Sequence, residues 1–329
     1  MRLVGSADPR REHLGAGSAA DHVGRTAVAR RRRIRNGIET GLFVSPALVL
    51  YLLFVVGPLV YAAYFSLYHW SGLGAAIDFV GLHNYVLAFQ DDLFRSSILH
   101  NFTLAALSIV FQLPFGLGAA LLLNRRFPGR AALRLVFFAP YVLSEAIVAI
   151  IWLLMLQPDG LVDHFFRAVG LGGLIHLWLA DLHIVLYTMF VVITWKYIGF
   201  GIILFLAGLQ GIPGDVLEAA SIDGANEFQS IRHVTIPLLG PTIRIWGFLS
   251  IIGSFQLFDL IWLTTLGGPA GASSTMATYL IDHGFRRYQF GYGSAASVIL
   301  FMISLVIAVL YQGILLRRDT EGAVTRMVA

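Results

Sequence analysis

Six apolar runs, each long enough to cross a lipid bilayer, constrain what this chain can fold into more than any other feature. A hydrocarbon core of about 30 Å is crossed by roughly 20 apolar residues in a helix. The runs lie at about 42–68, 101–123, 134–156, 184–208, 245–267 and 294–316. Lipid cannot pair with free backbone amides, and the runs are too long for barrel strands. The sequence therefore predicts an all-α polytopic membrane helical bundle with six transmembrane helices.

The composition agrees with a membrane protein and argues against catalysis. The chain is 57% hydrophobic and only 13% charged, whereas about 25% of the residues in an average soluble domain are charged. The absence of cysteine excludes disulfides and cysteine-ligated metals. The single lysine, Lys196, precedes Tyr197 and so cannot belong to a phosphate-binding P-loop, and zinc-protease and serine-hydrolase motifs are also missing. We predict no catalytic residue, no metal site and no cofactor bound by this chain.

The arginines indicate the orientation. Short cytoplasmic connections are enriched in Arg and Lys. With the N-terminus inside, 18 of the 22 arginines fall on the cytoplasmic side and four, Arg95, Arg167, Arg286 and Arg287, on the other. We predict a multi-pass protein of the cytoplasmic (inner) membrane with both termini cytoplasmic. The first run is too long for the apolar region of a signal peptide, so we expect an uncleaved span.

The chain divides by composition into two tails and one membrane domain. Residues 1–36 are basic and lack apolar periodicity, which predicts a disordered cytoplasmic tail. Its run RRRRIR (30–35) can contact anionic lipid headgroups. Residues 37–318 form the predicted transmembrane domain, and residues 319–329 a cytoplasmic C-terminal tail. Because a basic cluster beside a span is explained by topology, we expect no nucleic-acid partner.

A soluble-looking segment, LEAASIDGANEFQSIRHVTIPLLGP (217–241), separates the fourth and fifth runs. Asp215 is the expected N-cap of a short helix, with Glu218 as its capping-box partner. Ala219 and Ala220 are small enough to let another surface approach the backbone, and Gly224 permits the turn that ends the helix. The sequence thus predicts a compact helix on the cytoplasmic side. A plain capped connector, with Glu218 closing only its own helix, is the alternative.

A second amphipathic segment follows in the same connector. Asn226 is placed to begin it, and apolar positions recur at helical spacing until Pro237 and Pro241, which are expected to stop it. The recurring positions are Phe228, Ile231, Val234 and Thr235. A helix, turn and helix between spans four and five is therefore predicted, within a loop at about 211–241.

Polar side chains near the middle of the spans are the second informative group, because a charge at membrane depth persists only with a partner or a wet cavity. These side chains are Glu145, Lys196, Gln256 and Asp259. Gln256 and Asp259 are three residues apart and are expected to share a helix face. With Phe255 and Phe258 beside them, they would suit a sugar, which has hydroxyls and apolar C–H faces.

We therefore predict a substrate pathway at Glu145, Lys196, Phe255, Gln256, Phe258 and Asp259. The alternative for Lys196 is a structural ion pair with Glu145 or Asp259 that holds spans together.

The connector also resembles the EAA loop of the membrane subunits of binding-protein-dependent ABC importers. The resemblance rests on Glu218, Ala219, Ala220, Gly224 and the closing Ile236 and Pro237. Val234 and Ile236 depart from the pattern, which prefers Ile and Leu there, but both keep an apolar contact. Further stretches are similar to the carbohydrate-type permeases: FVGLHNY (79–85), TWKYIGF (194–200), LAGLQGIPGDVLEAASIDGA (206–225), FDLIWLTTLGGP (258–269) and FGYGSAAS (290–297).

The GGP sequence is similar to that of the first of the two permeases in oligosaccharide and glycerol-phosphate importers, which resembles the maltose-system F subunit without its extra N-terminal part. The resemblance implies a type I ABC importer permease (MetI-like) fold. It also implies a second permease subunit in a heterodimer, two copies of an ABC ATPase that bind ATP and Mg, and an extracytoplasmic substrate-binding protein that docks on the outer loops.

In such a complex Glu218, Ala219, Ala220, Asp223 and Gly224 would couple to the ATPase. The expected cargo is a sugar, an oligosaccharide in particular. A glycerol-3-phosphate importer is the alternative within transport, although Glu145 and Asp259 disfavour an anion. A secondary transporter with ion-coupled carboxylates, which would need no EAA loop, is the alternative of another class.

Overall fold

The computed structural model describes residues 39–316, and within that range the ordered backbone is helical, without a named β-strand. The predicted tail at 1–36 and the tail at 319–329 lie outside the described residues. The chain divides between Tyr61 and Ala62 into two compact units. Everything said below of packing and of the site concerns the second unit.

Thirteen helices are named here in chain order. They are α1 (Glu39–Phe65), α2 (His83–Gln90), α3 (Asp92–Asn124), α4 (Arg130–Val142), α5 (Glu145–Leu156), α6 (Leu161–Ala168), α7 (Val185–Gln210), α8 (Gly214–Ile222), α9 (Glu227–Leu238), α10 (Gly240–Gln256), α11 (Asp259–Thr264), α12 (Met276–Ile281) and α13 (Phe290–Leu315).

The helices account for the six predicted spans, but two of the spans are not single helices. Helices α1, α3, α7 and α13 are each long and apolar enough to cross a membrane. The pair α4 and α5 is bent by 101°, and the pair α9 and α10 by 65°; counting each pair as one span gives six. The prediction of one continuous helix over 134–156 is therefore wrong. The prediction of one over 245–267 is also wrong, because α10 ends at Gln256 and α11 begins only at Asp259.

The third span bends at Leu143 and Ser144, which both have extended backbone conformations. The Ser144 hydroxyl accepts a hydrogen bond from the backbone N–H of Ile147 (3.4 Å) and so caps α5. Glu145 consequently occupies the first turn of α5. The sequence had placed it in the middle of a continuous span, and that prediction is wrong.

The fifth span is interrupted at Leu257 and Phe258, where the backbone leaves the helical conformation for two residues. Gln256 is the last residue of α10 and Asp259 the first of α11. The prediction that these two residues share a face of one helix is therefore wrong. The C-terminal end of α10 and the N-terminal end of α11 thus lie next to each other within an otherwise apolar segment.

Helix α7 is the central element of the second unit and packs against both α3 and α4. Close approach to α4 depends on Gly199, because a Cβ there would lie only 2.1 Å from the carbonyl oxygen of Phe137. A Cβ at Gly201 would lie 2.4 Å from the indole nitrogen of Trp246 on α10. The two glycines are two residues apart and so lie on opposite sides of α7, where each lets one neighbouring span approach closely.

Side-chain contacts sort the connections between the spans into two groups. Arg125, after α3, forms an ion pair with Glu227, which begins α9. At the other ends of the spans, Asp91 accepts a hydrogen bond from Tyr279 (2.9 Å). The connections joined in this way contain the short helices α2 and α12, and the alternation of the spans places the connection that contains α6 at the same ends. They are folded segments.

Candidate functional site

The connector between α7 and α10 folds as a helix, a turn and a helix, as predicted. Helix α8 begins two residues earlier than expected: Pro213 is its N-cap and no side chain caps it. The assignment of Asp215 as N-cap, with Glu218 as its capping-box partner, is therefore wrong. Asp215 lies in the first turn, where a carboxylate is favoured by the helix dipole. Pro213 has already fixed the extended backbone that precedes the helix.

Gly224 closes α8 as predicted. Its φ of +81° is a left-handed conformation that favours glycine, and the N–H of Ala225 donates to the carbonyl of Ala220 (3.0 Å). Asn226 then begins α9 with a capping box, in which its side chain accepts from the N–H of Gln229 (2.9 Å). Two well-defined helix ends thus set the angle between α8 and α9.

The second amphipathic segment ends between Pro237 and Pro241, as predicted, and Pro237 itself lies inside the helix. Helix α9 continues through a wide turn at Ile231–Thr235 and includes Pro237 before it ends at Leu238. Pro241 lies in the first turn of α10, where a missing N–H costs no hydrogen bond. The chain therefore changes direction at Leu239, between the two prolines.

Helix α8 presents an exposed surface. Glu218, Ala219 and Asp223 are exposed and Ala220 is half-buried. Apolar side chains are also exposed, most of all Ile222, which is 85% exposed. The ion pair between Arg125 and Glu227 ties the neighbouring α9 to the connection after α3. A short helix that carries exposed apolar and acidic side chains is suited to binding another protein.

Lys196 on α7 is sealed inside the protein, with 3% of its surface exposed. Its ammonium group donates to three backbone carbonyls at the C-terminal end of α4: Pro140 (3.2 Å), Tyr141 (2.9 Å) and Leu143. A cation at this position is favoured by the helix dipole and satisfies carbonyls that the bend leaves unpaired. Lys196 therefore stabilises the bend in the third span.

Glu145 lies on the other side of the same bend. Its carboxylate is 3.7 Å from the Lys196 ammonium and accepts a hydrogen bond from the hydroxyl of Tyr197 (2.7 Å). The alternative that the sequence left open, a structural ion pair between Lys196 and Glu145, is thus present in the structure. Asp259 is not a member of that pair.

A cavity of about 430 Å³ lies beside the break in the fifth span. It is lined from α3, α4, α7, α10 and α11. The lining residues are Leu104, Ser108, Gln112, Tyr141, Phe190, Ile193, Tyr197, Phe200, Trp246, Leu249, Ser250, Gly253, Ser254, Gln256, Leu257, Phe258, Asp259 and Leu260. Polar groups and aromatic faces thus converge on a space of ligand size.

The structure brings only some of the predicted pathway residues to this cavity. Gln256, Phe258 and Asp259 line it. Phe255 is fully buried and packs edge-to-face on Phe102, with ring centroids 5.1 Å apart. The ammonium group of Lys196 is bound to the α4 carbonyls and Glu145 at the bend in the third span. Gln256 and Asp259 still lie near each other because the break, and not one helix face, places both at the cavity.

Sequence reasoning missed the aromatic and hydroxyl groups of the cavity wall. Tyr141 stacks on Phe200, with ring centroids 5.2 Å apart. On α10, Ser250 and Ser254 face the cavity, and Ser250 is hydrogen-bonded to Ser108 (2.5 Å). The spacing of the two serines at i and i+4 within an apolar span was a usable signal, since such residues share a helix face.

The family model for the inner membrane component of binding-protein-dependent transport systems matches residues 112–318. That range includes α4 to α13 and the C-terminal part of α3 from Gln112, one of the three α3 residues that line the cavity. The chain belongs to this family. It is therefore a membrane component of a binding-protein-dependent transport system, as the resemblance of the connector to the EAA loop implied.

Similar proteins cover most of the chain. It is 32% identical over 279 residues to the probable ABC transporter permease protein YurN of Bacillus subtilis (84% of this chain, 95% of the relative). It is 31% identical over 271 residues to the trehalose/maltose transport system permease protein MalF of Thermococcus litoralis (82% and 91%). It is 30% identical over 279 residues to the multiple sugar-binding transport system permease protein MsmF of Streptococcus mutans (85% and 96%).

The fold is also found in a solved structure. A chain of a bacterial ABC transporter involved in the import of the acidic polysaccharide alginate superposes with a TM-score of 0.76 at 23% identity, covering 87% of this chain and 99% of that chain. A chain of a bacterial alginate ABC transporter in complex with an alginate pentasaccharide-bound periplasmic protein is also similar, with a TM-score of 0.75 at 23% identity. At this identity the likeness shows the fold, the type I importer permease architecture.

Proposed function

We propose that this chain is the permease subunit of an ABC importer for an uncharged or cationic carbohydrate, and that a partner ATPase drives it through α8. The observation that carries the proposal is the place of the α8–α9 connector in the chain. Three residues, 211–213, join it to α7, and Leu239 joins it to α10. Both of these helices line the cavity.

This placement suggests how movement reaches the cavity. A push on α8 is passed through short links to α7, which carries Tyr197 and Phe200, and to α10, which carries Ser250 and Ser254. Because Gly224 and the Asn226 capping box hold the connector in one shape, little of the displacement is lost in bending it. ATP and Mg are bound by the partner ATPase in this mechanism, and this chain supplies no nucleotide site.

The cavity supports a carbohydrate as the cargo. The rings of Tyr141, Tyr197 and Phe258 offer faces to sugar C–H groups, and Gln256 and Asp259 offer hydrogen bonds to hydroxyls. Among the described residues that line it, none is Arg, Lys or His. Since Asp259 would repel an anion and no neighbouring cation offsets it, a glycerol phosphate or a uronate is disfavoured. Relatives named for trehalose/maltose and multiple sugars support a sugar as the cargo.

The full complex proposed here has a second permease chain, two ATPase subunits and an extracytoplasmic binding protein. The arginine distribution supports cytoplasmic termini and a cytoplasmic α8, with α2, α6 and α12 on the outer side. The binding protein would then dock at the connections that contain α2, α6 and α12.

Docking through α8 is tested by replacing Glu218 with Lys, with Glu218→Gln as the matched variant that removes the charge and keeps the size. The tagged chain is purified from its host, and the ATPase subunit that co-purifies is quantified. Because Glu218 is exposed, neither change should affect membrane insertion. We expect Lys to reduce ATPase recovery at least tenfold, equivalent to about 1.4 kcal/mol, and Gln to reduce it less. Equal recovery for the wild type and Glu218→Lys would reject α8 as the docking element.

The cargo class is tested by offering host cells labelled maltose, labelled chitobiose and a labelled uronate disaccharide, with and without a functional copy of this chain. We expect uptake that depends on this chain for a neutral or amino sugar and none for the uronate. Asp259→Asn should reduce that uptake, whereas Phe255→Leu, outside the cavity, should change it less. Chain-dependent uptake of the uronate would reject the proposed selectivity.

A further inference from the structure

A buried polar segment on the outer side of the fifth span contacts the break directly. Ser273, Ser274 and Thr275, between α11 and α12, are all at most 5% exposed. Ser274 is held against α3 by two contacts: the Ser97 hydroxyl donates to its hydroxyl (3.0 Å), and its carbonyl lies 2.8 Å from Nδ1 of His100. The segment therefore folds back into the protein and is not a solvated loop.

Two side chains bind the carbonyls that the break leaves open. The Thr275 hydroxyl donates to the carbonyl of Leu257 (2.8 Å), and the Asn101 amide donates to the carbonyl of Ser254 (2.6 Å). Both acceptors lie at the C-terminal end of α10, and Ser254 and Leu257 line the cavity. Thr275 and Asn101 are completely buried.

The same two side chains also fix the start of α12. Asn101 accepts a hydrogen bond from the N–H of Met276 (2.9 Å) through its Oδ1 atom. Thr275 is the N-cap of α12, paired with Thr278. Each side chain therefore bridges one end of α10 and one end of α12, which are separated in sequence by about 20 residues.

Such bridges are needed because a helix that ends inside a membrane exposes carbonyls to a medium without water, where an unpaired group is costly. The break is tolerated only while the donors from α3 and from the 273–275 segment stay in place. Loss of either donor would favour closure of the break into a continuous helix or its opening to water. In both cases Gln256 and Asp259 would move.

We propose that Asn101 and Thr275 are positioning residues that lock the break in the fifth span and join it to the outer segment 270–281 as one rigid unit. This inference rests on the proposed function in one respect: the outer segment is where a docked binding protein would push. A displacement there would then be passed to the cavity wall at Ser254–Asp259 without an intervening flexible link.

The test measures hydrogen–deuterium exchange of the full chain in lipid nanodiscs, without partners, substrate or transport. Thr275→Val keeps the side-chain shape and removes the hydroxyl donor; Thr275→Ser restores a hydroxyl and is the matched control. Asn101→Leu removes the other donor. We expect exchange in peptides covering 254–264 and 270–281 to rise together, by about tenfold or more, in the Val and Leu variants, and to stay at the wild-type level in the Ser variant. Peptides from the middle of α7 should not change.

Wild-type exchange in Thr275→Val, or a rise in only one of the two segments, would overturn the proposal. So would equal effects of Val and Ser, because these would show that packing at position 275 matters and its hydrogen bond does not. The wild-type chain offers a check without substitution: at low guanidinium the two segments should lose protection with the same dependence on denaturant. Since none of these measurements requires import, failure of the transport assays and failure of the rigid unit are separate outcomes.

Discussion

At the residue scale, the polar groups at membrane depth show what a sequence can and cannot reveal. That Lys196 needs a partner follows from its position in an apolar run, and the structure pairs it with Glu145. Its main partners are instead three carbonyls of α4. Those carbonyls are unpaired only because the third span bends, and nothing in the apolar pattern indicates the bend. The sequence thus showed that Lys196 needs a partner of opposite charge or polarity. It did not show that backbone carbonyls of α4 would be that partner.

Lys196→Met should destabilise the chain far more than Glu145→Gln. The first change leaves three carbonyls and a carboxylate without their cation, which costs about 3–5 kcal/mol for a buried pair. The second removes only a charge at 3.7 Å and keeps an acceptor for Tyr197, at a cost of roughly 1 kcal/mol. Unfolding of both variants by denaturant in the same detergent measures the difference. Equal losses would show that the ion pair, and not the carbonyl cluster, holds the bend.

The protein should lose stability in acid through His283, which lies between α12 and α13. Burial lowers the pKa of its imidazole below the usual range, and Arg287 adds to this, while a hydrogen bond with Tyr279 and the charges of Asp282 and Asp91 oppose it. The unfolded state therefore takes up a proton first. Stability is complete above about pH 6.5 and falls as the pH drops towards the lowered pKa.

Thermal unfolding at about pH 7.5 and pH 5 checks this, with His283→Gln as the variant that cannot titrate and His183→Gln, at an exposed position, as the control. We expect the fall in Tm on acidification to be smaller in His283→Gln than in either the wild type or the control. A pH dependence unaltered by His283→Gln would assign it to other groups.

At the element scale, the lengths and positions of the spans were predictable and their continuity was not. The length of an apolar run sets the length of helix that lipid can surround. Helices α7 and α13 therefore match their runs closely. The break at Leu257 and Phe258 contains neither glycine nor proline, and it is held by Asn101 and Thr275 from distant parts of the chain. Long-range side-chain donors leave no local pattern, which is why Gln256 and Asp259 were placed on one helix.

Gly199→Ala should separate α4 from α7. The new methyl group would meet the carbonyl of Phe137 at 2.1 Å, a backbone atom that cannot rotate away. Overpacking of this kind costs about 1–3 kcal/mol. Gly118 on α3 is the matched control, because a Cβ there meets nothing within 4 Å, and alanine should be neutral or stabilising in a helix. Denaturant unfolding of the two variants measures the contrast, and a tolerated Gly199→Ala would contradict this account of the helix contact.

At the scale of the whole molecule, the connector was the most predictable part of the site because its signals are local. Gly224 and Asn226 act on their own neighbours in the chain, and both form the turn and cap expected of them. The cavity is assembled from five helices, so only the members that stood out as polar in an apolar run, such as Gln256 and Asp259, were found. Nothing in the sequence distinguishes Tyr141 and Phe200 from other aromatic residues. Only the fold shows that they stack in the cavity wall.

Orientation is the remaining property of the whole chain that the proposal requires, and it can be measured directly. The chain contains no cysteine, so a single introduced thiol reports one position without background. Ser221→Cys is exposed on α8, and Gly173→Cys lies exposed in the connection between α6 and α7, where a Cβ meets nothing within 4 Å. A membrane-impermeant maleimide should label Gly173→Cys only in intact spheroplasts and Ser221→Cys only in inverted vesicles. Labelling of Ser221→Cys from outside would place α8 away from ATP, and no cytoplasmic ATPase could then act on the cavity through it.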